Sequence, residues 1–232
     1  MNIIHHFFGK DCIIDRELRN RADLERALYD KGFHSRANLF LNQVHGAEVV
    51  TVDSEDKIYG NQGLPRADAI VSNLKNVTIG IITADCSPLL FFDEEKNIIG
   101  AAHAGWRGAK MGVIASTVMQ MKKLGAENIS AIIGPMIQQQ SYEVSQEFFD
   151  DFIAEDIGNI KFFKDGEQPQ KYWFDLNAYV EKKLREAGII NIKNVQIDTY
   201  ANEKEFFSFR RSTHRGEKDC GRNVSVICVG ER

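Results

Sequence analysis

His45, Cys86 and His103 are the side chains of this sequence best suited to chemistry. Each closes an apolar, strand-like run and is followed by backbone punctuation, in the strings LNQVHG, ITADCSP and GAAHAGWRG. Strand ends are rigid platforms that open on solvent, where sites collect. Histidine and cysteine are ligands that zinc favours, and three protein ligands plus an open fourth position make a catalytic centre. The intervals between the three, 41 and 17 residues, match no short zinc spacer. A nucleophilic Cys86–His103 pair accounts for the same residues, and simple packing of a cysteine in a buried strand is the plainer alternative. Asp85, beside the thiol, is a candidate general acid or base, or else a turn cap.

Two further segments bear on ligands. His103 runs through Gly105, Trp106, Arg107 and Gly108 towards an expected helix at 109. Free backbone N–H groups and the helix dipole there favour an anion, commonly phosphate, and Arg107 would add a bidentate donor. The bland alternative is a tight turn with Arg107 in solvent. The string EFFSFRR, residues 205–211, reads either as a strand with a basic edge or as a stacking face with an anion clamp. The clamp would suit an aromatic, phosphorylated or ribosylated ligand held by the aromatics Phe206, Phe207 and Phe209 and the arginines Arg210 and Arg211. Cys12, Cys220, Cys228, His5, His6, His34 and His214 are assigned no role.

The elements that must position these groups follow from pattern. Residues 20–31 read as a polar helix stopped by Gly32. Residues 38–44, 47–53, 67–71, 77–84, 89–93 and 98–103 read as short strands. Residues 109–124 carry helical periodicity and end at Gly125. Residues 129–133 form a strand, 144–154 and 176–187 helices, and 192–197 and 224–229 strands. Ser141 and Asp175 are candidate caps for the two helices. Several neighbouring strands are joined by only three to five residues, which predicts antiparallel pairing between them. The fold class is therefore α+β with mixed β-sheets rather than doubly wound.

Composition sets the bounds. A chain of 232 residues, 43% hydrophobic and 27% charged, buries a core without staples. Its 29 Lys and Arg against 33 Asp and Glu give a net charge of −4, which argues against a nucleic-acid grip built on bulk positive charge. Four irregularly spaced cysteines make no disulfide framework and point to a reducing compartment. No apolar run approaches the roughly 20 residues of a spanning helix, and residues 1–8 do not form a signal peptide. A cytoplasmic protein without membrane contact is expected.

The strings NQVHG, RADAIVSN, TADCSPLLFFD, AAHAGWRG, IGPMI and FFSFRR, in this order, resemble the bacterial YfiH-type laccase-domain family. That family was first labelled multicopper polyphenol oxidase and later described as purine nucleoside phosphorylases. The resemblance runs from Leu41 to the C-terminus and implies one layered αββα-type domain over 1–232. It implies a Zn²⁺ site at His45, Cys86 and His103, with copper as the alternative metal. The implied activity is phosphate-dependent cleavage of adenosine, inosine, guanosine or methylthioadenosine, with deamination of adenosine to inosine beside it. Purine nucleosides and phosphate are then the partners. Cys86, Asp85 and His103 are the expected catalytic residues, Asp85 carrying a proton to the departing ammonia. Asn42, Gln43, Arg107, Phe209 and Arg210 are the expected substrate contacts. A Cys–His amidase or hydrolase acting on cell-wall precursors and a copper phenol oxidase are the competing readings.

The chain departs from the family pattern in three places. His6-Phe7-Phe8-Gly9-Lys10 stands where members carry a Ser/Thr-Arg-x-Gly-Gly segment. Asp198-Thr199-Tyr200 stands where Cys-Thr is usual, and Phe209 replaces a tyrosine. None of these touches the metal triad.

Overall fold

The computed structural model describes residues 2–14, 21–58 and 63–230. The chain opens with β1 (Asn2–Phe8), α1 (Arg21–Asp30), β2 (Ala37–Leu39), β3 (Val49–Val52) and β4 (Ala69–Ser72). Three longer strands follow, β5 (Val77–Thr83), β6 (Ser87–Asp93) and β7 (Ile98–Ala104), then α2 (Trp106–Met111) and α3 (Val113–Lys123). After β8 (Ser130–Ile133) come β9 (Glu143–Ser145), α4 (Gln146–Glu155), β10 (Phe163–Asp165) and β11 (Lys171–Phe174). The chain finishes with α5 (Leu176–Glu186), β12 (Ile192–Asn194), α6 (Phe209–His214) and β13 (Asn223–Gly230).

A four-stranded sheet, β1-β13-β5-β2, lies against a six-stranded one, β12-β8-β6-β7-β4-β3, and β10-β11-β9 form a small third sheet. Strand alternation explains the stacking. Ile79, Ile81, Ile227 and Val229 of the first sheet meet Leu90, Ile99, Ala101 and Ile132 of the second in one apolar layer. The opposite faces are equally apolar. Val224, Val226 and Cys228 pack under Leu24 and Leu28 of α1, while Leu89, Phe91 and Ala102 pack under α3 and α5. The central strands of both sheets are thus buried on two sides, which is why β5, β6 and β7 read as largely apolar runs without polar alternation. The result is α+β with mixed sheets in αββα layers, as the sequence implies.

The differences are local and have physical causes. Short links do not enforce pairing: β4 to β5 and β5 to β6 step from one sheet to the other, and only β6–β7 of these neighbours pairs antiparallel. Stacked sheets lie about 10 Å apart, a gap that three or four residues can cross. The helix expected over 109–124 is two, beginning earlier at Trp106 and broken at Gly112, whose φ of 93° no helix accepts. Ser145, not Ser141, caps α4, accepting the Phe148 N–H, whereas Asp175 caps α5 as expected. Residues 205–211 form no strand; Ser208 caps α6 there. Strand β1, unread in the sequence, pairs along its whole length with β13.

Asp93 ties the layers near the far end of β6. Its buried carboxylate accepts the N–H groups of Glu95 and Lys96 in the β6–β7 turn and of Glu127 and Asn128 before β8. Burial pushes its pKa up, but these four donors outweigh burial and hold it below the usual carboxylate range. Its contribution to stability is therefore complete above about pH 4 and is lost as pH falls through the lowered folded value. Asp93→Ala is expected to cost roughly 2 kcal/mol at neutral pH. Denaturant unfolding at pH 7 and pH 3 checks this: the gap between variant and parent should narrow at the lower pH.

Candidate metal centre and active site

Asp68, fully buried just before β4, organises the site. Its carboxylate accepts N–H bonds from Val44 at 3.2 Å, His45 at 2.9 Å and Gly46 at 2.6 Å, all in the loop between β2 and β3. That loop holds His45 at φ 60°, a left-handed conformation uncommon outside glycine. On the other side Asp68 faces His103 across the β4–β7 ladder. The His103 amide donates to the Asp68 carbonyl at 2.7 Å, and Asp68 Oδ1 lies 2.8 Å from His103 Nδ1. An ionised Asp68 keeps the proton on Nδ1, which leaves Nε2 for Cys86 and for a metal. Burial raises the Asp68 pKa, and the bonds from His103, Gly46 and His45 more than reverse that.

Cys86 arrives from the opposite sheet, in the three-residue link between β5 and β6. Asp85 fixes this link. It sits at φ 87°, and its carboxylate accepts from Thr199 Oγ1 at 2.7 Å, Ser208 Oγ at 3.0 Å and the Arg210 N–H at 2.7 Å. Gly105 makes room for the sulfur, since a Cβ there would stand 2.7 Å from Cys86 Sγ and 3.6 Å from the His45 ring. Gly108 is equally confined, its virtual Cβ 3.1 Å from the Gly46 carbonyl and 3.3 Å from that of His103. The glycines of AAHAGWRG thus serve close packing around the centre rather than an anion cradle.

One donor atom from each of His45, Cys86 and His103 lies within 4.8 Å of the other two. The imidazoles meet edge to face with centroids 4.7 Å apart. A tetrahedral centre with ligand distances of about 2.0–2.3 Å separates its donors by roughly 3.5 Å, so small side-chain shifts close this triangle on an ion. A bound ion would take the place of the protons on the Cys86 thiol and on His103 Nε2. Burial pushes the Cys86 thiol up, but His103 and then His45 overcome it and hold the thiol well below its ordinary range. Burial pushes His103 down, while Cys86 and Asp68 raise it above its ordinary value. A thiol already inclined to ionise is the form that binds metal. These residues can hold a metal ion.

The triad lies on the wall of a cavity of about 730 Å³, a volume suited to a small organic ligand. Asn42, Thr83, Phe209 and Arg222 share that wall. Phe209, at the start of α6, is 62% exposed and lines the cavity. Other residues singled out in the sequence sit elsewhere or are already engaged. Gln43 lines the cavity, but its amide is spent on Ile82, donating to the carbonyl at 2.7 Å and accepting the N–H at 2.8 Å. Arg107 is exposed and off the cavity wall, on an α2 of six residues. Arg210 donates to the Glu143 carbonyl at 2.7 Å and lies over the Tyr142 ring. Arg211 gives its guanidinium to the carbonyls of Thr199, Tyr200 and Phe206. The paired arginines therefore brace the α6 corner rather than form an open clamp. Asp85, absent from the cavity wall, accepts three donors that hold the link carrying Cys86 in place.

Sequence reading passed over Asp68 and Arg222. Asp68 stands in RADAIV immediately before a strand, and its importance comes from a cross-strand partner 35 residues away. Arg222 follows Gly221 and immediately precedes β13, a placement that carries no chemical signal by itself.

A family model described as multi-copper polyphenol oxidoreductase laccase matches residues 14–230, and the chain belongs to that family. It is similar to a purine nucleoside phosphorylase of Rickettsia conorii, 43% identical over 185 residues covering 80% of this chain and 75% of that one. It is also similar to the purine nucleoside phosphorylase YfiH of Escherichia coli, at 35% over 190 residues, covering 82% and 72%. Among solved structures, YlmD from Geobacillus stearothermophilus superposes with a TM-score of 0.76 at 27% identity, covering 94% of this chain and 82% of that one. Among the described residues, no helix is long and apolar enough to cross a membrane.

The geometry makes Asp68 the residue that tunes the centre without touching the ion. Asp68→Asn is expected to weaken metal binding 10- to 100-fold, and Cys86→Ala to abolish stoichiometric binding. Chelator competition followed by elemental analysis reads both. Metal content and affinity matching the parent in both variants would refute the assignment.

Proposed function

We propose that this protein is a zinc-dependent purine nucleoside phosphorylase that also deaminates adenosine. The observation that carries the proposal is the His45–Cys86–His103 donor triangle opening on a cavity with an exposed aromatic face. Support comes from the relatives named purine nucleoside phosphorylase. Zn²⁺ suits the donor set of two imidazoles and one thiolate, and in a three-ligand site it supplies a Lewis acid at an open fourth position. The chain's own residues supply the rest. Phe209 stacks on the purine, with Asn42 at the same wall to meet polar edges of the base or ribose. Asp68 keeps His103 in one orientation, so the reacting atoms meet a fixed electrostatic field rather than a mobile one. The apolar wall of Leu41, Leu64 and Ile82 excludes water around the ligand.

In phosphorolysis, phosphate oxygen attacks the ribose carbon as its bond to the purine nitrogen breaks, and the base leaves with the bonding pair. In deamination, water replaces the amine of adenosine, and ammonia departs. Substrates are adenosine, inosine, guanosine or methylthioadenosine for the first reaction and adenosine for the second. One specific feature keeps a second reading in view, the lowered Cys86 thiol beside His103, which is also the arrangement of a nucleophilic hydrolase.

Incubation of the zinc-loaded protein with adenosine separates these readings. Adenine and ribose 1-phosphate should form only when phosphate is present, with inosine as a further product, and a chelator should stop both. Cys86→Ala should lower kcat/KM by roughly 100-fold or more. Neither product from fully metallated enzyme would sink the proposal. Turnover that survives the chelator but is lost on thiol alkylation would replace it with the Cys86–His103 hydrolase.

A further inference from the structure

We propose that the side-chain amide of Asn42 donates a hydrogen bond to N7 of the bound purine and stabilises the base as it leaves. The inference rests on the phosphorylase reading and gives one residue of the cavity wall a catalytic role in it. As phosphate oxygen bonds to the ribose carbon, the bond to the purine breaks and its electron pair passes to the base. Much of that charge gathers at N7. A donor aimed there strengthens as the bond breaks, which is the condition for stabilising a transition state rather than a bound substrate. An amide N–H does this without giving up its proton. The proton lost by hydrogen phosphate reaches the base through solvent.

Few groups on the wall are open for this task. His45, Cys86 and His103 form the donor triangle, and His103 Nδ1 is committed to Asp68. The Gln43 amide is held by the carbonyl and the N–H of Ile82. The Thr83 hydroxyl has no accessible surface. Arg222 turns Nη1 to the carbonyls of Cys220 and Gly221 and pairs with Asp219. Asn42 is left. It is exposed, it lines the cavity, and its amide makes no hydrogen bond among the described residues. Its mount is rigid, because its own N–H donates to the Pro65 carbonyl at 2.9 Å and its neighbour Gln43 is tied to β5.

Asn42 stands three residues before His45, a span of at most about 10 Å. N7 and position 6 share one edge of a purine, and an asparagine amide matches N7 and a 6-amino group together. A base with N7 at Asn42 and position 6 towards the triangle therefore suits phosphorolysis and deamination in one pose. N7 is common to adenosine, inosine and guanosine, so this contact serves all three.

The test follows zinc-loaded protein on inosine and on 7-methylinosine, each with saturating phosphate. A methyl group on N7 fixes a positive charge on the base, which then leaves neutral and needs no donor there. Asn42→Ala should lower kcat for inosine by roughly 100-fold, with a smaller rise in KM. The same variant should cleave 7-methylinosine at least as fast as the parent. Asn42→Asp keeps the size of the side chain and should fall at least as far on inosine, because a carboxylate opposes the developing charge. A loss shared equally by both nucleosides, or inosine turnover within about threefold of the parent in both variants, would overturn the role and leave the phosphorylase reading standing. So would 7-methylinosine cleaved by neither parent nor variant. A parent that releases no ribose 1-phosphate from inosine would overturn the phosphorylase reading and this role with it.

Discussion

The carboxylate of Asp68 is the interaction on which the site depends. One buried anion accepts three consecutive loop amides, which hold His45 in a left-handed conformation, and it orients His103 from the neighbouring strand. A buried carboxylate without donors would be prohibitive. With four it becomes a clamp that is stable only when loop and strand are both in place. Two of the three candidate metal donors are therefore set by a single charge, and the third is brought to them by the fold.

The third donor comes across the sandwich. The link from β5 to β6 leaves the four-stranded sheet and enters the six-stranded one, and Cys86 sits at that step. Asp85 secures the step by gathering Thr199, Ser208 and the first turn of α6 around its carboxylate. The two carboxylates work in parallel: Asp68 places the imidazoles and Asp85 places the thiol. Gly105 completes the fit by leaving the sulfur its space. Rigid support of this kind is what keeps a polar centre competent on the wall of the cavity.

Much of this was legible in the sequence. The strand runs and the α+β class follow from strand patterning, and reactive residues at strand ends single out His45, Cys86 and His103, the group that could hold a metal. The layered arrangement followed from the family resemblance. Sheet membership was not legible, because a three-residue link serves a hairpin and a sheet-to-sheet step alike. Strand β1 was hidden by its two histidines, which are tolerated because β1 lies at the edge of its sheet. Arg107, Arg210 and Arg211 looked like anion ligands on charge alone, yet their roles depend on which carbonyls lie near. Asp198-Thr199-Tyr200 stands where the family usually carries Cys-Thr. In the fold Thr199 holds Asp85, and Asp198 accepts from Ser141 and Gln140.

The central claim is that one carboxylate and one sheet-to-sheet step assemble two imidazoles and a thiolate around a single ion. X-ray absorption at the metal edge of the zinc-loaded protein tests it most directly. The account predicts one sulfur scatterer near 2.3 Å and two imidazole nitrogens near 2.0 Å, with room for one further light ligand. A shell of oxygen and nitrogen alone, or one with two or more sulfurs, would contradict it.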